Sequence, residues 1–246
     1  MRLYGLIGKT LSHSFSERYF TDKFKVESID NVQYRLFELE SIDLLPELIA
    51  NHPTLQGLNV TIPYKESVIP FLDSLSAEAE EIGAVNCIKI EAGRLIGHNT
   101  DCHGFRTSLE QFLGTERPER ALVLGTGGAH KAVCHALRQM GITPTTVSRT
   151  AGKGDLIYSE VGAEEMAAHR LIVNCTPLGT SPRTEEAPAL PYDLVSDQHY
   201  IFDLIYNPSR TLLMRRCEAQ GAKVMCGYDM LTLQAERSWD IWNSRE

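Results

Sequence analysis

The chain has 246 residues, 43% of them hydrophobic and 23% charged, with a formal net charge of −8. That length allows one large domain or two small ones with a sizeable core. The acidic balance, without Lys or Arg blocks, argues against a nucleic-acid surface, and no apolar run approaches bilayer-spanning length.

Met1-Arg2-Leu3-Tyr4 moves directly into a strand-like segment, so nothing is expected to direct the chain out of the cytoplasm. Six cysteines (Cys87, Cys102, Cys134, Cys175, Cys217, Cys226) are scattered without CxxC pairs. Reduced thiols, a reducing compartment and no metal site are expected.

Strand-like and helix-like segments alternate throughout, the pattern of an α/β protein with parallel sheets. Arg2 to Ile7 reads as a strand, Phe15 to Val26 as a helix and Tyr34 to Phe37 as a second strand. Ser41 caps a helix reaching about Asn51, and Leu55 to Val60 forms a third strand. Helical stretches follow at Glu66 to Leu72 and Ala77 to Ile82. Ala84 to Ile90 and Arg94 to Ile96 pair as a hairpin through Glu91-Ala92-Gly93, and Asp101 to Phe112 is a helix. After a polar stretch from Gly114 to Glu119, a second α/β unit opens with the strand Ala121 to Leu124. A helix to Met140 and strands near Thr145–Val147, Leu171–Asn174 and Tyr200–Ile205 come next. A helix from Thr211 to Gln220, a short strand near Lys223–Met225 and a last helix from Asp229 to Trp242 complete the chain.

Gly57-Leu-Asn-Val-Thr-Ile-Pro-Tyr-Lys65 ends a strand and delivers Lys65 into what the pattern predicts is the first turn of a helix. Unpaired N–H groups there disfavour a cation, which suits an amine that trades protons. A solvated lysine behind a Thr61 N-cap is the plainer alternative. Asn86 stands in an apolar strand, where a buried amide needs partners. Asp101 opens a helix and reads equally well as its N-cap. Ser12-His13-Ser14 offers two hydroxyls for a small anion, or an ordinary turn.

Gly125-Thr126-Gly127-Gly128-Ala129 follows a four-residue apolar strand and opens a helix, the context of a dinucleotide fingerprint. His130 breaks the strict GxGxxG, and Ala132 is expected to supply the small contact instead. About 20 residues on, NAD binders place an acid for the ribose 2′-hydroxyl. Here the stretch is Ser148-Arg149-Thr150, with Lys153 close behind and no acid until Asp155, which favours NADP.

These segments together resemble the shikimate dehydrogenase family, of the NADP-dependent biosynthetic kind. The likeness runs over nearly the whole chain. It is carried in order by Ser12–Ser14, Asn59–Lys65, Gly83–Asn86, Asn99–Asp101, Gly125–Ala129, Ser148–Thr150, Asn174–Gly179, Asp203–Pro208 and Gly227 through Met230-Leu231 to Gln234. The resemblance implies two α/β lobes. A substrate lobe would span residues 1–100, a Rossmann-type NADP lobe residues 101–228, and the C-terminal helix 229–246 would return to the first lobe. It implies an oxidoreductase acting on a CH–OH group, with hydride passing between NADPH and the ring ketone of 3-dehydroshikimate. Lys65 and Asp101 would be the catalytic pair. Ser12, Ser14, Thr61, Asn86 and Gln234 would hold the substrate, with Tyr206 near its carboxylate. Thr176 would join the cofactor set, and Gly227 and Met230 would approach the nicotinamide. The implied partner is a small molecule, and the chain would act as a monomer or homodimer. The family usually has a proline after the second serine and a His-Asn pair beyond it. Here Phe15-Ser16 and Arg18-Tyr19-Phe20 stand instead, and the lean segment after Arg149 predicts a trimmed helix. An NAD-dependent quinate/shikimate dehydrogenase and a non-catalytic nucleotide sensor are the rival readings.

Overall fold

Six of the seven residues of the first strand, β1 (Arg2–Gly8), are buried, as a strand covered on both faces should be. It pairs in parallel with β2 (Val32–Glu38) and β3 (Leu55–Val60). The crossovers carry α1 (Ser16–Val26) and α2 (Leu45–Asn51), the latter led by a 3-10 turn whose Ser41 hydroxyl accepts from the Asp43 N–H. Then come β4 (Ser74–Leu75), α3 (Ala77–Ile82), β5 (Cys87–Glu91) and β6 (Arg94–His98). The computed structural model describes residues 1–11 and 14–244. Its contacts divide the chain into two units, Met1–Thr100 with Ala235–Glu246, and Asp101–Gln234.

The sheet of the first unit runs β2-β1-β3-β5-β6-β4 and is mixed, because β5 lies antiparallel to both β3 and β6. The antiparallel β5–β6 pair is the hairpin expected through Glu91-Ala92-Gly93, set within the otherwise parallel α/β pattern. The Ala92-Gly93 turn, with φ of 50° and 80°, joins directly paired Glu91 and Arg94, and so short a link connects only antiparallel neighbours. An aromatic cluster covers one face. Phe20 stacks on Tyr34 with ring centroids 4.5 Å apart, Tyr4 stacks on Trp242 at 4.8 Å, and the Trp242 indole N–H donates to the Ile88 carbonyl at 3.0 Å.

The helix expected over Glu66 to Leu72 does not form, and Lys65 lies in a turn. Pro63 and Pro70 confine the segment. Pro70 has no N–H to offer the Glu66 carbonyl, which accepts from Ile69 N–H at 3.2 Å instead. One helical turn (Val68 N–H to Tyr64 O, 3.0 Å) and a 3-10 turn at Ile69–Phe71 are the result.

The second unit begins with α4 (Asp101–Leu113), followed by β7 (Arg120–Leu124), α5 (His130–Gln139), β8 (Thr143–Ser148), β9 (Leu156–Ile157) and α6 (Ala163–Ala168). Then come β10 (Leu171–Asn174), β11 (Tyr200–Asp203), α7 (Leu212–Glu218), β12 (Lys223–Cys226) and the start of α8 (Tyr228–Asn243), whose residues from Ala235 on belong to the first unit. Its sheet is parallel, ordered β12-β11-β10-β7-β8-β9. Chain order reverses beside β7, the topological switch point at which open α/β sheets bind ligands. Ala121 to Leu124 have no exposed surface, which explains the unbroken apolar run. The trimmed stretch after Arg149 holds β9 and α6, two and six residues long. The strand expected to Ile205 stops at Asp203, and the helix after it is shorter than expected, with Thr211 as its N-cap.

Candidate active site

In the first unit, backbone pairing gathers three of the expected site residues. Val60 N–H donates to Asn86 O at 2.8 Å, Thr61 N–H to Ile7 O at 2.9 Å, and Val85 N–H to Lys65 O at 2.7 Å. Thr61, Lys65 and Asn86 are thereby held on adjoining segments. Asn86 precedes β5 rather than lying on it, which corrects its assignment to a strand face. Its buried amide meets Thr100 at both ends: Nδ2 donates to Thr100 Oγ1 at 2.9 Å, and Oδ1 accepts from Thr100 N–H at 2.6 Å.

A second buried amide, Asn59, stands behind it. Its Oδ1 accepts from the Tyr34 hydroxyl at 2.9 Å, and its Nδ2 donates to Ser238 Oγ at 2.9 Å. Burial pushes the Tyr34 phenol well above its ordinary value, so it stays a donor. Ser14 is half-buried, and its Oγ accepts from Ser16 N–H at 3.2 Å at the start of α1. Ser12 and His13 lie outside the described residues.

In the second unit, a cavity of about 470 Å³ opens at the switch point. Its lining brings together Gly125–Gly127 just after β7, Ser148 at the end of β8 with Arg149, Thr150 and Lys153 beyond it, and Thr176 beyond β10. Gly125 has φ +93°, and a Cβ there would lie 2.8 Å from Thr176 Cγ2, so turn and neighbour both require glycine. At Gly127 the first atom a Cβ would meet is Cys175 O at 3.8 Å, leaving room for a ligand to approach the backbone. Ser148 Oγ accepts from Thr150 N–H at 3.1 Å and shapes the loop that carries Arg149. The first acid downstream, Asp155, accepts from Thr146 N–H at 2.7 Å.

Thr176 is held from below. Asn174 Oδ1 accepts from its N–H at 3.0 Å and from its hydroxyl at 2.7 Å. Asn174 Nδ2 donates to Asp203 Oδ1 at 2.9 Å, and Asp203 Oδ2 accepts from Thr211 Oγ1 at 2.6 Å. Two segments distant in sequence, Asn174–Gly179 and Asp203–Pro208, thus meet in one buried network. Burial pushes the Asp203 carboxyl up to about 6.

Gly128, Ala129, Gly227 and Met230 are not in the cavity lining. Gly227 and Met230 are buried, and Gln234 Nε2 donates to Leu231 O at 2.9 Å. Asp101 is buried at the first turn of α4, and burial raises the pKa of half-buried Tyr206. The lining also holds Tyr158, Cys175, Pro177, Leu178 and Arg183, none of which was singled out for the site in the sequence. Burial pushes the Cys175 thiol well above its ordinary value, so it is a neutral wall. Burial pushes the Tyr158 phenol up to about 12, partly offset by the Arg149 charge. The Cys175 and Pro177–Leu178 positions were legible from their place in the Asn174–Gly179 segment; Tyr158 and Arg183 had no local signal.

The family described as shikimate dehydrogenase substrate binding domain matches residues 6–88. Over 251 residues the chain is 36% identical to the shikimate dehydrogenase (NADP(+)) of Clostridium beijerinckii, covering 98% of this chain and 92% of that one. The chain belongs to the shikimate dehydrogenase family. The structure of the Thermus thermophilus shikimate 5-dehydrogenase, solved with NADP(H) and shikimate, superposes with a TM-score of 0.87 at 30% identity, covering 99% of this chain and 94% of that one. The quinate dehydrogenase of Corynebacterium glutamicum, solved with NAD, superposes with a TM-score of 0.88 at 26% identity, covering 100% and 94%. Both α/β units of this family member are therefore those of its relatives. Among its described residues, no helix is long and apolar enough to cross a membrane.

Proposed function

We propose that this shikimate dehydrogenase family member catalyses the reversible NADPH-dependent reduction of 3-dehydroshikimate to shikimate, a step of aromatic amino-acid (chorismate) biosynthesis. The observation that carries the reading is the charge of the cavity in the second unit. Its described lining presents cationic side chains and no carboxylate, while Asp155 is engaged with a backbone N–H. A ribose 2′-hydroxyl calls for an acid at this place, whereas a 2′-phosphate is repelled by one.

When bound, the reduced nicotinamide supplies the hydride. The backbone of Gly125–Ala129 and the start of α5 hold the diphosphate, and Ser148, Arg149, Thr150 and Lys153 hold the 2′-phosphate. Gly227 and Met230 border the nicotinamide. As the substrate carbonyl is reduced, negative charge grows on its oxygen. The Lys65 ammonium donates a proton there, and Asp101 aims that ammonium. Ser12, Ser14, Thr61, Asn86 and Gln234 hold the carboxylate and hydroxyls, with Tyr206 beside the carboxylate. The enzyme acts on small molecules in the cytoplasm, as a monomer or homodimer.

The test follows NADPH absorbance with 3-dehydroshikimate, beside NADH and quinate. Rapid loss of NADPH absorbance supports the reading. Preference for NADH, or faster oxidation of quinate than of shikimate, transfers the chain to the NAD-dependent quinate type. Tight NADP binding without turnover makes it a nucleotide sensor.

A further inference from the structure

Arg183 reaches the cofactor cavity from the loop after β10, a strand on the opposite side of β7 from the strand that carries Arg149. With Lys153, the described lining then holds three cations. The loop is anchored at its base by its backbone: Ser181 N–H donates to Asn207 O at 3.1 Å, and Arg183 N–H to Thr180 O at 2.9 Å. The guanidinium itself is loosely engaged. It pairs with Glu186 at 3.6 Å, and the arginine side chain is well exposed while that of Glu186 is partly so. Such a pair is weak, so an incoming anion competes for the arginine at little cost.

The diphosphate of a dinucleotide is served by backbone N–H groups of the glycine turn and by the start of α5. A phosphomonoester carries a charge of roughly −1.5 to −2 near neutral pH, more than one guanidinium neutralises. We propose that Arg183 is a second arginine for the cofactor's 2′-phosphate, gripping it from the side of the cavity opposite Arg149. Arg183 is then a determinant of NADP over NAD contributed by the β10 loop, and it rests on the NADP-dependent reading above. The trimmed segment after Arg149 gives the assignment its physical sense. The β8–β9 connection is a short turn with Arg149 and Lys153 exposed upon it, so a phosphate there needs a wall from elsewhere.

The experiment measures binding of two probes by calorimetry to the full chain and to Arg183→Ala and Arg183→Lys. The probes are adenosine 2′,5′-bisphosphate and adenosine 5′-monophosphate, which differ by the 2′-phosphate alone. Arg183→Ala is expected to weaken the bisphosphate about 10- to 100-fold, the scale of a lost charge-assisted hydrogen bond, and the monophosphate less than about twofold. Arg183→Lys restores part of the loss, since it keeps the charge without the planar fork. Added salt weakens the bisphosphate more in the wild type than in Arg183→Ala. Equal loss for both probes places Arg183 on the 5′-phosphate and overturns the proposal, as does no loss for either. A wild-type chain that fails to discriminate the probes overturns it too. If the wild type binds the bisphosphate in the expected manner yet does not reduce 3-dehydroshikimate, the proposed function falls while the role of Arg183 stands.

Discussion

Asp203→Asn probes the buried network that holds Thr176 under the cofactor cavity. Burial raises the Asp203 carboxyl from 3.8 to about 6, against hydrogen bonds from Thr211, Ile205 N–H and Asn174 that favour the charged form. A raised value means that the native chain holds this proton more tightly than the unfolded chain. The stability it confers is therefore complete below about pH 3.8 and is lost as pH rises through about 6. A tenfold change in proton affinity is worth about 1.4 kcal/mol, so the full swing is about 3 kcal/mol. Asparagine does not titrate, and its carbonyl keeps one acceptor, although the Thr211 hydroxyl must turn to meet an amide. Urea unfolding of both proteins at several pH values isolates the effect, because other groups cancel in the difference. Relative to wild type, the variant should gain about 3 kcal/mol between about pH 4 and about pH 7. A difference that stays flat over that window, or that moves the other way, refutes the reasoning.

Three further substitutions test the rest. Lys65→Ala should lower kcat by about 10²- to 10⁴-fold, the scale of a lost acid–base group, with NADP affinity within about twofold by fluorescence titration. A fully active variant removes Lys65 from the chemistry. Arg149→Ala should raise the NADP dissociation constant about 10- to 100-fold and that of NAD hardly at all; equal loss for both means that it does not read the 2′-phosphate. Gly57→Ala would bring a Cβ within 2.7 Å of Trp242 Cε2, against an indole already fixed to Ile88 O and stacked on Tyr4. Such overpacking should cost about 1 to 3 kcal/mol in chemical unfolding, and an unchanged midpoint would mean that Trp242 shifts freely.

Features with local causes were legible in the chain. Leu55–Val60 and Leu171–Asn174 emerge with the boundaries expected of them, because a strand buried along nearly its whole length needs no partner's identity to declare itself. The glycine turn was readable for a similar reason: strand, positive-φ glycine and helix follow one another within a few residues. The helix at Lys65 was misread although its evidence was local, since Pro63 and Pro70 confine the segment between them.

Distance in the chain hid the rest. Asn59 and Ser238 are 179 residues apart, and Asn174 and Asp203 are 29 apart, yet each pair shares a buried hydrogen bond. A polar residue in isolation reveals its need for a partner but not which residue answers it. Residue order alone therefore determined the α/β class, the position of the glycine turn and the lack of an acid close behind Arg149. The folded chain decided that Thr100 holds Asn86, that Asp203 reaches Thr176 through Asn174, and that Arg183 joins Arg149 at one cavity. The physical reason is sheet order: β8 and β10 become the two neighbours of β7 through pairing across the sheet, which no short stretch of sequence encodes.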